Sequence, residues 1–525
     1  MSELLSTAQM RAIEAAAMAS GEVTGLELME RAGSGVVAAV MERWTEFAQA
    51  PHKAVVLCGP GNNGGDGFVI ARLLHGQGWD VVCYLLGDAA TLPPDAKVNC
   101  HRWAEIGALH PMKGSDPRIF EGADLVVDAV FGIGIDRPVT GELDKLLRKR
   151  GAARWVAVDV PSGLCADSGK MLREVATATS YADLTVTFEF PKWGHYLGEG
   201  PQVCGAVQSA PIGVVSRGRS RQMIKEVSEV ISNELSNLVD LTGAQRTQAP
   251  MRSTAQHKFD RGHALVLSGG PGKTGAARLA ARGALRAGAG LVTLGVSVEA
   301  RMEVAAQVTS IMLTNVQDAN GLRTVLEDDR INALCLGPGL GVTDQTRALV
   351  FAALDAKRAT VLDADALTVF QDDPKALFGK LHRGCVLTPH AGEFARLFPD
   401  LAELWRDTER AGEKGSKVTA VREAARRAGC TVLLKGADTV VGEVRERTSI
   451  TAAVYERAAP MLATAGSGDV LAGFITGLMA QGFPPWSAAP RAAWLHQECG
   501  RMFGPGLIAE DIPEVLPQVL AAGQG

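Results

Sequence analysis

The stretch Thr464-Ala465-Gly466-Ser467-Gly468-Asp469, continued by Val470-Leu471-Ala472-Gly473-Phe474-Ile475-Thr476-Gly477-Leu478-Met479, sets the reading of the chain. Val470, Leu471, Phe474, Ile475, Leu478 and Met479 recur at helical spacing, which predicts an amphipathic helix. Its opening is a glycine-rich turn, and the first-turn amides of a helix have no partner within it. Free amides and the positive helix end together attract anions. A carboxylate at that place, Asp469, therefore needs a reason. Helix capping is the ordinary one and, on this stretch alone, the favoured one. The other is a catalytic base beside a bound phosphate.

Working outward, 525 residues suffice for two or three domains with full cores. A hydrophobic content of 46% with 21% charged residues describes an ordinary soluble globular protein, and a net charge of −5 gives no electrostatic case for nucleic acid. Nine cysteines are scattered without a C-x-x-C pair, which argues against a disulfide framework or a zinc site. Cys58, Cys83, Cys335 and Cys385 sit in apolar runs and read as inert core thiols, a pattern that fits a reducing cytoplasm. Ser6 to Gln9 has the form of a helix capping box, with Met10, Ile13 and Ala17 following at helical spacing. That start is not a secretory leader, and no run of about 18 apolar residues is available to span a membrane.

Short β-rich runs then alternate with helix-like stretches. In the first half they are Lys53 to Cys58, Asp80 to Leu86, Asp124 to Val130, Arg154 to Val160 and Asp183 to Phe188, with helices expected over Asp66 to His75 and Gly141 to Lys149. A break at about Val214 to Thr254 contains a polar helix from roughly Gln222 to Val239. Alternation resumes with Ala264 to Leu267, Leu291 to Val296, Ala333 to Leu336, Thr360 to Leu362, Cys385 to Leu387 and Thr431 to Leu434. The fold class is α/β with parallel sheets, in two domains joined by a linker. The expected bounds are 1–215, 216–254 for linker and lead-in helix, and 255–525.

Ligands of open α/β sheets bind at the carboxyl ends of the strands, so the loops there carry the argument. In the first half these are Gly59 to Gly67, Asp128 to Gly134 and Asp159 to Gly163. Asn63, Asp128 and Ser162 offer only oxygen ligands, suited to a hard cation; the plainer reading makes the Asn and Asp residues turn formers and caps. In the second half, Gly272-Lys273-Thr274 invites a phosphate-loop reading, but Leu267 stands where the first glycine of that motif belongs. Asp363, Asp365 and Glu393 could hold magnesium through water, and Lys435 could meet a phosphate. His390 follows a strand beside Pro and Gly, which favours ligand contact over a purely structural imidazole.

The first-half motifs, with Thr187 to His195, resemble those of the YjeF N-terminal domain, the NAD(P)HX epimerase. The resemblance implies a Rossmann-like three-layer fold that interconverts the epimers of hydrated NADH and NADPH. It implies that Asn62, Asn63, Gly64, Gly65 and Asp66, with Gly132, Ile133, Gly134, Ile135, Asp136, Arg137 and Pro138, line the hydrated-nicotinamide site. Asp159 would be the acid/base there, and Asn63, Asp128 and Ser162 would hold a potassium ion.

The second half resembles the ribokinase-like, ADP-dependent NAD(P)HX dehydratase. The motifs are His257 to Gly262, Gly275 to Ala277, Gly337 to Gly341, Asp363 to Leu367, Thr388 to Glu393, Lys435 to Thr439 and Thr464 to Gly473; Ala391 stands where proline is common. The resemblance implies that Ala276, Gly339 and His390 contact the hydrated cofactor. Lys435, Gly436, Ala437, Asp438, Thr439 and Gly468 would contact the adenine nucleotide, and Asp469 would act at the substrate hydroxyl. ADP with magnesium, cytoplasmic location, no membrane or nucleic-acid partner and a homo-oligomer complete the expectation. A small-molecule kinase fused to a non-catalytic binding domain is the alternative.

Overall fold

The computed structural model describes residues 3–112, 119–148, 151–173, 182–214, 239–243, 257–407, 411–445 and 447–522. They fall into two compact units, one built on 3–214 with 411–416, the other on 239–407 and 417–522. The polar helix expected from Gln222 lies outside the described residues except for its last position. There Val239 opens a short strand, Val239–Leu241, that pairs in parallel with Thr448–Ala452. Sheet pairing with a β-branched residue overrides the helical expectation.

The first unit holds a seven-stranded sheet in the order Leu109–Pro111, Asp80–Leu85, Lys53–Cys58, Leu125–Ala129, Arg154–Val158, Leu184–Phe188, Ala206–Ala210. Every neighbouring pair is parallel. The five expected runs are strands; the two edge strands escape sequence reading because they are short or only half-buried. The strand order reverses between Lys53–Cys58 and Leu125–Ala129, and a crevice for ligand opens at such a reversal. The helix after Lys53–Cys58 starts earlier than expected, at Asn62, so the glycine-rich loop becomes its first turn.

In the second unit the strands run Val239–Leu241, Thr448–Ala452, Asp438–Gly442, Thr431–Leu434, Cys385–Leu387, Ala359–Leu362, Ile331–Leu336, His263–Leu267, Leu291–Val296, Met312–Asn315. From Thr431–Leu434 onward the pairs are parallel, while Asp438–Gly442 adds an antiparallel turn-back. Here the order reverses between His263–Leu267 and Ile331–Leu336.

The helix Ser467–Ala480 corrects one expectation. It is not amphipathic: every residue from Val470 to Ala480 is buried. A helix apolar all round belongs inside a core. The positions between its large residues are small, and they let the backbone of Gly275–Arg286 approach. A Cβ on Gly473 would stand 2.1 Å from the Ala280 carbonyl oxygen, and one on Gly477 would stand 2.3 Å from that of Ala284. Among the described residues no helix is long and apolar enough to cross a membrane.

The packing makes a prediction. Gly473→Ala forces a methyl into a backbone carbonyl, and overpacking of this kind costs on the order of 1–3 kcal/mol. Urea denaturation should show a lowered midpoint for the second unit; an unchanged midpoint contradicts the close approach.

Candidate functional site

The reversal in the first sheet brings three loops to one edge. Ser162 donates its hydroxyl to Asp128 Oδ1 at 2.6 Å and its amide to Asp128 Oδ2 at 2.9 Å, while the Phe131 amide donates to Ser162 Oγ at 2.8 Å. Burial pushes the Asp128 carboxyl up against these bonds. Asn63 packs at Gly132, where an added Cβ would lie 2.8 Å from Asn63 Oδ1, and its Nδ2 is buried without a hydrogen-bond partner. The loop Gly132 to Pro138 is therefore beside the helix opening at Asn62.

Asp159 follows its strand with φ at 66°, a conformation that non-glycine residues adopt at a cost and that concentrates at functional sites. Its Oδ1 accepts from Lys192 Nζ at 2.8 Å and from Thr187 Oγ1 at 2.8 Å. Lys192 is wholly buried. Burial alone would raise the Asp159 carboxyl; the Lys192 ammonium and the Thr187 hydroxyl outweigh it and hold Asp159 below the ordinary range. His195 Nδ1 accepts from the Lys192 amide at 3.0 Å, so Nε2–H is left to donate to the Asp159 carbonyl at 3.0 Å. The ring is neutral, pushed down to about 4 by burial and by Lys192. Thr187, Lys192 and His195 thus fix Asp159 in place. The sequence places them in one motif but assigns them no role, because a lysine after a strand gives no sign of being buried.

Asp66, in the first turns of its helix, is also buried; burial and the charges of Asp159 and Glu14 push its carboxyl well above the usual value.

In the second unit, Asp469 lies in the first turn of Ser467–Ala480 and is half-buried. The N-cap is Gly466, at φ 87°, which has no side chain to cap with, and Asp469 is the acidic residue of the first turn, at the positive end of the helix. Lys435 Nζ donates to Asp363 Oδ1 at 2.7 Å and stands 3.4 Å from the place of a Cβ on Gly468. Burial and the negative charge of Asp363 raise the Asp469 carboxyl to about 6, against the opposing Lys435. Burial opposes the charge on Lys435, but Asp363 and Glu393 raise it above its ordinary value.

A positive φ at Ala364 turns the chain between Asp363 and Asp365, and Asp365 Oδ2 accepts from the Gly341 amide at 2.7 Å. Gly337 abuts the Asp363 carbonyl, and a Cβ on Gly339, at φ 72°, would stand 3.7 Å from Ala276 Cβ. The loops carrying Ala276, Gly339, Asp363, Lys435 and Asp469 therefore form one continuous rim.

A cleft of about 580 Å³ adjoins this rim, lined among others by His390, Lys435, Gly436, Ala437, Thr439, Thr464, Gly468 and Leu471. His390 has two duties. Its Nδ1 accepts from the Gly392 amide at 2.9 Å, capping the next helix, while the ring remains exposed to the cleft. Ser467 Oγ meets His496 Nε2 at 3.0 Å; that histidine, far off in sequence, escaped sequence reading.

The Asp438 carboxylate accepts from the buried Lys417 at 2.7 Å. Asp363, Asp365 and Glu393 are each engaged separately, by Lys435, Gly341 and the His390 amide. Among the described residues no three His, Cys, Asp or Glu side chains are placed to hold a metal ion. In the Gly272-Lys273-Thr274 loop, whose spacing already argues against a phosphate loop, the Gly272 amide and the Thr274 hydroxyl both donate to Glu303.

Comparison with known proteins bears on both units. The family model described as NAD(P)H-hydrate dehydratase matches residues 264–514, and that of the YjeF-related protein N-terminus matches residues 25–194. The bifunctional NAD(P)H-hydrate repair enzyme of Moorella thermoacetica is 34% identical over 98% of this chain and 96% of its own. An NAD(P)H-hydrate epimerase of Rhodobacter capsulatus is 47% identical over 37% of this chain and 92% of its own. Among solved structures, an ADP/ATP-dependent NAD(P)H-hydrate dehydratase from Bacillus subtilis, co-crystallised with ATP and Mg2+, shares 24% identity at a TM-score of 0.44, covering 54% of this chain and 98% of that one. The chain belongs to the family of bifunctional NAD(P)H-hydrate repair enzymes.

Proposed function

We propose that the first unit interconverts the R and S epimers of NAD(P)HX, and that the second dehydrates the S epimer to NAD(P)H with ADP as phosphoryl donor, releasing AMP and phosphate. The observation that carries the second half is Asp469, a first-turn carboxylate raised to about 6 at a glycine-lined helix start, with Lys435 beside it. Hydroxide leaves poorly, so phosphorylating the C6 hydroxyl turns loss of water into loss of phosphate. Asp469 takes the hydroxyl proton, Lys435 meets the donor's phosphate as a point charge, and the first-turn amides stabilise the transferring group. Ala276, Gly339 and His390 border the hydrated cofactor, and Gly436, Ala437, Thr439 and Gly468 border the nucleotide.

In the first unit Asp159 Oδ1 is occupied by Lys192 and Thr187, which leaves Oδ2 to work on the substrate. The loops from Asn62 to Asp66 and from Gly132 to Pro138 would hold the hydrated nicotinamide.

A potassium ion fits the first site. Asp128 is buried and pushed up despite the charge of Arg173, so a cation would add counter-charge, and Asn63, whose Nδ2 is unpartnered, is on hand to turn its oxygen. Asp128, Asn63 and Ser162 would hold the ion, which would anchor the loops under the substrate. Among the described residues the second site has no cage for magnesium, so the ion would arrive on the ADP phosphates with at most one or two protein carboxylates. Nine buried free thiols support a reducing, cytoplasmic setting.

Incubation with hydrated NADH and ADP, followed by nicotinamide absorbance, tests the reading. NADH and free phosphate are expected, whereas a small-molecule kinase would accumulate a stable phosphate ester. Asp469→Asn should lower dehydration about 10²–10⁴-fold while ADP affinity, measured by calorimetry, stays within a few-fold. A base must be ionised to act, so wild-type dehydration should be present above about pH 6 and fall away as pH drops through that value. A flat profile there removes the base assignment. Asp159→Asn preserves shape but leaves the buried Lys192 without its counter-charge, a loss worth about 3–5 kcal/mol in stability. Epimerisation should vanish in that variant while dehydration of pure S epimer continues; retained epimerisation, read chromatographically, rejects Asp159.

A further inference from the structure

The N-terminal helix Thr7–Ala19 is tied to the edge of the first sheet that carries Asp159. The segment before it pairs with the chain around Lys192: the Leu5 amide donates to Pro191 O at 3.0 Å, the Trp193 amide to Leu5 O at 3.3 Å, and Trp193 Nε1 to Leu4 O at 3.3 Å. The helix then runs along the loop after Leu125–Ala129. Thr7 Oγ1 donates to Ile133 O at 3.4 Å, and Arg11 Nη2 lies 2.9 Å from the place of a Cβ on Gly134. Thr7, Arg11 and Glu14 stand at i, i+4 and i+7, so a single stripe of the helix faces the site. Glu14, the third member, is half-buried and within electrostatic reach of Lys192, Asp159 and Asp66.

The chemistry assigned to this unit calls for such a group. C6 of the hydrated ring carries both a hydroxyl and N1, so it is a hemiaminal carbon. One base takes the hydroxyl proton as the C6–O bond becomes a carbonyl; the C6–N1 bond breaks, and its electron pair goes to N1, which must be protonated. The aldehyde turns about C5–C6, N1 attacks the other face, and both protons return. The sequence is redox-neutral and needs two proton-handling groups of opposite starting state. Asp159, held ionised by Lys192 and Thr187, supplies one.

We propose that Glu14, contributed by the N-terminal helix, is the second proton-handling residue of the epimerase site, starting protonated and serving N1 while Asp159 serves the hydroxyl. The proposal rests on the epimerase reading of this unit. Its carboxyl is raised to about 7, mainly by burial, with Lys192 and Arg11 drawing it down and Asp159 pushing it up. A donor with that value is protonated in useful fraction near neutral pH and is lost as pH rises through it.

The test follows conversion of pure R-NADHX to the S epimer chromatographically, without ADP, from pH 5.5 to 8.5. If wild type does not epimerise, the reading of the unit fails and Glu14 has no role to test. If it does, its rate should decline above about pH 7. Glu14→Gln, equal in shape, should lose about 100-fold or more and the decline with it. Glu14→Asp should recover at least tenfold over Glu14→Gln and keep the decline, with thermal unfolding used to confirm that each variant is folded. Wild-type rates in Glu14→Gln, or a loss that leaves the alkaline decline in place, or a folded Glu14→Asp no faster than Glu14→Gln, each overturns the proposal.

Discussion

A parallel strand delivers its carboxyl end to the same edge as its neighbours, and both units are governed by that constraint. Where the strand order reverses, helices leave on opposite faces and the edge opens. Lys53–Cys58 and Leu125–Ala129 flank that point in one sheet, His263–Leu267 and Ile331–Leu336 in the other. Residues far apart in sequence meet there with no further device. Asp363 and Lys435 are 2.7 Å apart for this reason, as are Asp128 and Ser162 at 2.6 Å.

Each edge then solves the same electrostatic difficulty. A carboxylate taken out of water must gain a partner or accept a proton. Asp159 gains Lys192 and stays ionised, while Asp66 nearby gains no cation and is pushed up. Asp363 gains Lys435, and Asp469, facing both, settles between the two outcomes at about 6. Groups with separated proton affinities are what acid–base chemistry needs, and the fold produces them from burial and one lysine apiece.

The alternation of strands and helices was legible because doubly buried strands read as apolar runs, and the glycine-rich turns marked the ligand edge. Edge strands such as Ala206–Ala210 were not, since half of their side chains stay polar or small. The helix from Ser467 showed its large apolar residues plainly, but Ala472, Gly473 and Gly477 looked like a free face until the neighbouring helix was seen against them. Asp469 was legible as an anomaly. Lys192, Lys417 and His496 were not, because a buried cation or a core imidazole is defined by its surroundings and not by its spacing. The partner of Asp438, Lys417, likewise lies on another element. The three carboxylates grouped for magnesium shared a sheet edge without sharing a centre.

One feature of the core bears on how the molecule withstands its chemical surroundings. All nine cysteines are free and buried, and those at 83, 335, 385, 430 and 499 have their thiols pushed up, chiefly by desolvation. Peroxides and electrophiles attack the thiolate, not the thiol. An enzyme that mends a damaged redox carrier thus holds these five of its own thiols away from the reactive thiolate form.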